Sequence, residues 1–167
     1  KKVNYPFDDY KVSKFDVSTS KRAISKDEIL LIKEIDLSME PEFVQFAKDV
    51  FIFSYLCGGI NFTDLENLKP ENIVDSRLEY IRQKTGKKIS LQLSPEANQI
   101  LKHYQQLTAQ SGYFFPILDF RIHKTAIQKQ NRIHKVLGKT DKGLKRIAKL
   151  VGINISLTTY VARHSFA

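Results

Sequence analysis

The run Val50-Phe51-Ile52-Phe53-Ser54-Tyr55-Leu56-Cys57 is apolar on nearly every side of a helix. A helix that lies at a surface keeps a polar face, and this one has none, so it must be buried all round. The rest of the chain is therefore required to wrap it. Pro41 suits the opening of this helix and Gly58-Gly59 its end, since proline favours a first helical position and glycine the left-handed stop. At 167 residues and 42% apolar content, the chain is long enough for one main domain built around such a helix.

Ser25-Lys26-Asp27-Glu28 reads as a capping box, with Ile24 and Ile29 as its hydrophobic staple and a helix following to about Ile35. After Gly58-Gly59, Ile60-Asn61-Phe62 is held in a tight corner, and Thr63 with Glu66 three residues on can cap a short helix. Residues 72–74, 78–82 and 88–93 alternate or carry β-branched residues, with turns at Asp75-Ser76 and Thr85-Gly86, which predicts a small antiparallel sheet of three strands. Ser94-Pro95 starts a helix whose apolar stripe is Ala97, Ile100, Leu101, Tyr104 and Leu107. Tyr113-Phe114-Phe115-Pro116 is an aromatic connector expected to be buried. A basic amphipathic helix is expected over 121–138, with Ile122, Ala126, Ile133 and Leu137 on one face, and the same pattern continues over 142–150 to Gly152. A last helix follows Ser156-Leu157-Thr158-Thr159-Tyr160. The expected class is thus mainly α with a small antiparallel sheet, α+β. Residues 1–22 are polar, hold Pro6 and three aspartates, and look like a linker from something upstream.

Several chemistries lack support. The one cysteine, Cys57, rules out an internal disulfide and a cysteine-based zinc site, and His103, His123, His134 and His164 show no paired ligand spacing, so no metal is expected. No stretch approaches the roughly 18 apolar residues that span a bilayer. Nor does Lys1-Lys2-Val3-Asn4-Tyr5-Pro6 lead into a signal-peptide core. A cytosolic protein with no membrane partner is expected.

The net charge of +9 is unevenly spread. Residues 1–120 hold 16 Lys/Arg against 17 Asp/Glu, whereas residues 121–167 hold 11 Lys/Arg against Asp141 alone. A one-sided field repels itself unless a polyanion faces it, and nucleic acids are the commonest cytosolic polyanions; the bland alternative is a solvated face. Lys87 in the hairpin and Lys124, Lys129, Arg132, Lys135, Lys139, Lys142, Lys145 and Arg146 in the basic block are the candidate DNA-binding residues.

Three short segments carry the chemistry. The first is the corner Gly59-Ile60-Asn61-Phe62-Thr63-Asp64-Leu65, the second the hairpin Gln83-Lys84-Thr85-Gly86-Lys87-Lys88, and the third Tyr160-Val161-Ala162-Arg163-His164-Ser165-Phe166-Ala167. In order and spacing they resemble the catalytic domain of the tyrosine recombinases, the phage integrase family, over almost the whole chain from about residue 22. That family has a Gly-x-Arg-x-x-Glu corner, a lysine on a β-hairpin and a His-x-x-Arg-His helix. By this resemblance Lys84 stands at the lysine and Arg163 and His164 at the second arginine and its histidine. The sequence departs at two places: Asn61 occupies the first arginine position, with Asp64 at the acidic one, and Tyr160 replaces a histidine. The resemblance implies residues 23–167 as the catalytic domain, incomplete at its C-terminal side, with 1–22 arriving from an upstream DNA-binding domain. It also implies site-specific cutting and rejoining of double-stranded DNA without a cofactor, through a 3′-phosphotyrosyl link made by a tyrosine downstream of this motif. A tetramer assembled on DNA, accessory DNA-bending proteins and a bacterial cytoplasm on chromosomal or mobile-element DNA are implied with it.

The residue types suit that chemistry on their own terms. A phosphodiester under attack gathers negative charge on its non-bridging oxygens, and a planar guanidinium such as that of Arg163 can grip two of them and stay charged. Replacing an arginine by Asn61 removes a charge whose loss typically raises a barrier by roughly 2.7–4 kcal/mol, unless another cation reaches in. A lysine on a hairpin, Lys84, can protonate the leaving 5′-oxygen. Each residue also has a plainer reading: Lys84 as a solvated loop charge, Asn61 as a turn residue, Asp64 as a charge at a helix start, Tyr160 as a core aromatic. Two other functions remain open from sequence, a DNA-binding module of the same fold that has lost catalysis, and a helix-turn-helix regulator using residues 121–150.

Overall fold

The computed structural model describes residues 23–166. The expected linker over 1–22 lies outside the described residues. Among them the order is α1 (Lys26–Glu34), α2 (Glu42–Leu56), α3 (Phe62–Leu65), a single 3-10 turn, β1 (Ile73–Val74), β2 (Arg77–Ile81), β3 (Lys88–Gln92), α4 (Pro95–Leu107), α5 (Ala126–Val151) and α6 (Thr159–Phe166). The expected class, mainly α with a three-stranded antiparallel sheet, is what the chain adopts: the strand order is β1-β2-β3, with Ile73 opposite Leu78 and Leu78 opposite Leu91.

Helix α2 does what its composition requires. Val50, Phe53 and Cys57, spaced along one side, join a core shared with the sheet, α4 and the aromatic connector; Val44, Ala47, Phe51 and Ile52 join a second core shared with α1, α5 and α6. Phe51 and Phe53 are fully buried on opposite sides of the helix, where truncation to alanine costs about 3–5 kcal/mol. The first capping box forms as read, Glu28 N donating to Ser25 Oγ and Ser25 N to Glu28 Oε2, with Ile24 and Ile29 both buried. Asp75 and Ser76 both take positive φ, the geometry of a two-residue hairpin turn. Tyr113, Phe114 and Phe115 are buried as expected.

Four expectations are corrected. The short helix after Gly58-Gly59 starts at Phe62, with Asn61 rather than Thr63 in the capping position and no side-chain cap bond; Glu66 turns inward instead, 5% exposed. The basic helix begins at Ala126, not Arg121. The Asp119 carboxylate accepts from Arg121 N, and Asp119 N donates to His123 Nδ1, folding 119–123 into a turn before Thr125 and Gln128 form the helix's capping box. Ile122 and Ala126 are consequently exposed. From there α5 runs as one helix of 26 residues, so the two helices that a helix-turn-helix would need within 121–150 are not there. Leu107, at the end of its stripe, is 64% exposed because α4 outruns the core beneath it.

Helix α5 packs on α2 through Gly143, where a Cβ would lie 2.7 Å from Ala47 Cβ and 3.1 Å from Phe43 O. Gly152 ends it in the left-handed conformation, φ +76°. None of the described helices is long and apolar enough to cross a membrane.

Candidate active site

The site is assembled where α2 stops. Gly58 and Gly59 both take positive φ, +69° and +73°, a region open to glycine without the 1–2 kcal/mol that other residues lose there. The corner is fixed from within by Gly59 N donating to Ser54 O at 2.8 Å and by the buried Ser54 Oγ donating to Ile60 O at 2.7 Å. Gly59 serves a second purpose. A Cβ there would stand 2.8 Å from both Cα and Cγ of Arg163, so the absence of a side chain is what lets α6 lie against the corner. The result is contact between segments a hundred residues apart: Arg163 Nη1 donates to Asn61 Oδ1 at 2.5 Å. This explains the missing helix cap, because the Asn61 amide oxygen is engaged by Arg163.

Helix α6 is itself held at both ends. Thr159 N donates to the Asp141 carboxylate on α5 at 3.1 Å. At the other end Ser165 Oγ accepts from Ile24 N and donates to Val161 O. Val161 and Ala162 point into the core, and Tyr160, 52% exposed, and His164 point out, their rings 4.5 Å apart and nearly perpendicular. Tyr160 therefore does not fill the core.

The hairpin is anchored to the same corner. Asp64, 4% exposed, accepts from Gln83 N at 2.8 Å through one carboxylate oxygen. Arg82 N donates to Lys87 O, and Thr85 N and Gly86 N both donate to Arg82 O. The neck of the hairpin is thus rigid and locked to α3, while Lys84 and Lys87 sit exposed in its turn. Asp64 thus ties the hairpin to the corner. Its neighbour Glu66 is also buried, its Oε2 without a hydrogen-bond partner. Burial, with the Asp64 carboxylate beside it, pushes its carboxyl up to about 7.

Asn61, Thr63, Arg82, Lys84, Tyr160 and Arg163 line one open groove of about 380 Å3, together with the apolar Phe62 and Leu137. No carboxylate is among its lining residues. Three cations facing one concave surface with no acid between them make a site for an anion. Of the five residues anticipated as catalytic, the groove gathers four; His164 lies outside it, against Tyr160. Arg82 was not anticipated. Its signal lies in the period of two along β2: Leu78 is buried and Tyr80 half-buried, so Arg82 shares their inward face, whereas Ile81 is 64% exposed.

The α5 cations are placed elsewhere. Leu137 is the α5 residue in the groove, and Lys135 and Lys139 line a separate cleft between α2, α4 and α5, with Lys139 Nζ 5.2 Å from the centre of the Phe43 ring. Arg132 donates to the carbonyls of Ile117 and Pro116, bracing the aromatic connector, and Arg146 pairs with Glu40 at 3.0 Å. Lys142 and Lys145 are exposed on α5, Lys129 is half-buried, and Lys124 stands exposed just before the helix.

No family model and no curated protein matches this sequence. Among solved structures the fold is similar to a lambda integrase (75–356) dimer bound to a COC′ core site, with a TM-score of 0.59 and 16% identity over 92% of this chain and 54% of that one. It is similar also to XerA recombinase, with a TM-score of 0.56 and 20% identity over 86% and 48%. A third is a lambda integrase tetramer bound to a Holliday junction, with a TM-score of 0.57 and 16% identity over 92% and 44%. The chain spans about half the length of these structures. At such identities the likeness establishes the fold alone, which is similar to that of these integrase and recombinase structures.

Proposed function

We propose that this chain is the phosphate-handling core of a site-specific DNA strand transferase of the tyrosine-recombinase type. The observation that carries the reading is the convergence of Lys84, Tyr160, Arg163 and Asn61, from three distant segments, on one groove without a carboxylate. In this reading the scissile phosphate lies in the groove and Arg163 grips its non-bridging oxygens. A tyrosine in sequence downstream of His164 attacks phosphorus; the phosphorus bond to the 5′-oxygen breaks, and Lys84 delivers the proton to that oxygen. A 5′-hydroxyl of a second strand reverses the step, so no cofactor is consumed. Tyr160 donates its phenolic hydrogen toward the phosphate, and His164 steadies the Tyr160 ring. Lys87 holds the DNA backbone beside the groove. The other free cations, Lys124, Lys129, Lys135, Lys139, Lys142 and Lys145, raise the local attraction for the duplex and hold its backbone without reading sequence, whereas Arg132 and Arg146 are engaged within the fold. A tetramer on DNA, aided by DNA-bending proteins, and a place on bacterial chromosomal or mobile-element DNA complete the proposal.

One observation favours a second reading, a DNA-binding module without catalysis: Asn61 supplies no charge at a position where the resemblance calls for arginine. Incubating the whole protein that contains this chain with a nicked suicide substrate separates the two. A covalent protein–DNA adduct that survives denaturation, with a free 5′-hydroxyl on the released strand, supports strand transfer. Tight DNA binding with no adduct supports the binding module.

A further inference from the structure

We propose that Arg82 is a catalytic residue, the second guanidinium on the scissile phosphate, standing in for the charge that Asn61 cannot supply. The inference rests on the strand-transferase reading above and deepens it. Arg82 lines the groove with Lys84 and Arg163. Its backbone is fixed at the neck of the hairpin, its N–H donating to Lys87 O and its carbonyl accepting from Thr85 and Gly86, while the next residue, Gln83, is tied to Asp64. The backbone that carries this side chain is therefore held in place beside the groove. Among the described residues its guanidinium makes no ion pair and no side-chain hydrogen bond, although Arg77, Arg121, Arg132, Arg146 and Arg163 all do. A half-buried arginine whose guanidinium has all five donors unspent, lining a groove that holds a second arginine and a lysine, calls for an anion with several acceptor oxygens. A phosphodiester in its transition state is such an anion.

The corner explains why a hairpin residue can take this part. Asn61 is held by Arg163 within the groove, and Arg82 comes from the segment of chain that Asp64 binds to that corner. In this proposal the charge stands on the hairpin side of the corner, two residues before Lys84, and not at Asn61.

The experiment uses the whole protein and single-turnover cleavage of a suicide substrate carrying either a phosphate or a neutral methylphosphonate at the scissile position, which lacks the charge a guanidinium would meet. Arg82→Ala is expected to slow adduct formation on the phosphate by about 10²–10³-fold, with DNA affinity within a few fold of wild type, and to have a much smaller effect on the methylphosphonate. Arg82→Lys, which keeps charge but loses the bidentate fork, should fall between wild type and alanine. Asn61→Arg in the Arg82→Ala background should recover much of the loss. Thermal unfolding of each variant separates loss of the site from loss of the fold. Arg82→Ala and Arg82→Lys cleaving the phosphate at the wild-type rate, or equal losses on the two substrates, would overturn the assignment of Arg82 while leaving the strand-transferase reading intact. A wild-type protein that forms no adduct on either substrate would overturn both.

Discussion

Arg163 and Asn61, 102 residues apart in sequence, are joined by a hydrogen bond from Nη1 to Oδ1 that closes the last helix onto the corner after α2. The bond orients a guanidinium without neutralising it, because an amide oxygen carries no formal charge. An aspartate at 61 would keep the acceptor and add a charge, drawing Arg163 into an ion pair and away from an incoming phosphate. Asn61→Asp is therefore expected to form adduct at least about tenfold more slowly than Asn61→Ala, the rate equivalent of 1.4 kcal/mol. Asn61→Ala should stay within about 1 kcal/mol of wild type in stability, as befits a half-exposed hydrogen bond. Single-turnover cleavage alongside denaturant unfolding checks both.

The two glycines of the corner should respond differently to alanine. Both have positive φ, but a Cβ at Gly58 meets only the Phe166 ring at 3.7 Å, whereas one at Gly59 meets the Arg163 backbone and side chain at 2.8 Å. Gly58→Ala is expected to cost about 1–2 kcal/mol of stability from its left-handed backbone alone. Gly59→Ala should cost about 2–4 kcal/mol, because displacement of α6 is added. It should also lose cleavage beyond what its stability explains.

Within α5 the sign of Gly→Ala should reverse between two positions five residues apart. Gly138 faces open space, and alanine there is expected to stabilise by up to about 1 kcal/mol through helix propensity. At Gly143 a Cβ would collide with Ala47 and the Phe43 carbonyl, so Gly143→Ala should destabilise by about 1–3 kcal/mol despite the same propensity gain. Urea titration of the two variants is the measurement.

Glu66 gives the fold a pH dependence of a definite sign. Its carboxyl is pushed up to about 7 in the folded chain, first by burial and then by Asp64, against roughly 4.3 when unfolded. Between these values the folded state binds the extra proton, so stability from this group is full below the unfolded value, falls as pH rises toward 7 and levels off above it. Glu66→Gln keeps the shape and removes the charge. It should flatten this part of the curve and be more stable than wild type at pH 8 by about 1–2 kcal/mol, measured by thermal unfolding from pH 4.5 to 8.5.

Much of this was readable in the residues, and the exceptions have physical causes. The buried helix, the Ser25 and Glu28 capping box and the Asp75-Ser76 turn are set by local pattern, and local pattern suffices where every neighbour in sequence is also a neighbour in space. The start of α3 at Asn61 is not legible locally, because its side-chain oxygen is engaged by Arg163, 102 residues away. The start of α5 was misplaced because hydrogen bonds around Asp119 and His123 outcompete helical periodicity over 119–123. The basic block, read as one surface, is divided: Arg132 and Arg146 are spent on carbonyls and on Glu40, and of the groove's three cations only Arg163 comes from the block, Arg82 and Lys84 coming from the hairpin. Arg82 looks from sequence like no more than the end of a strand, and only the inward face shared with Leu78 and Tyr80 marks it.

The most direct test of the account is covalent adduct formation by Arg163→Ala in the whole protein, with Arg163→Lys beside it. Both variants are expected to fold and to bind DNA within a few fold of wild type, the alanine variant losing at least about 10²-fold in adduct formation and lysine recovering little because the bidentate grip is gone. Adduct formation at the wild-type rate by Arg163→Ala would contradict the central claim that this groove holds the scissile phosphate.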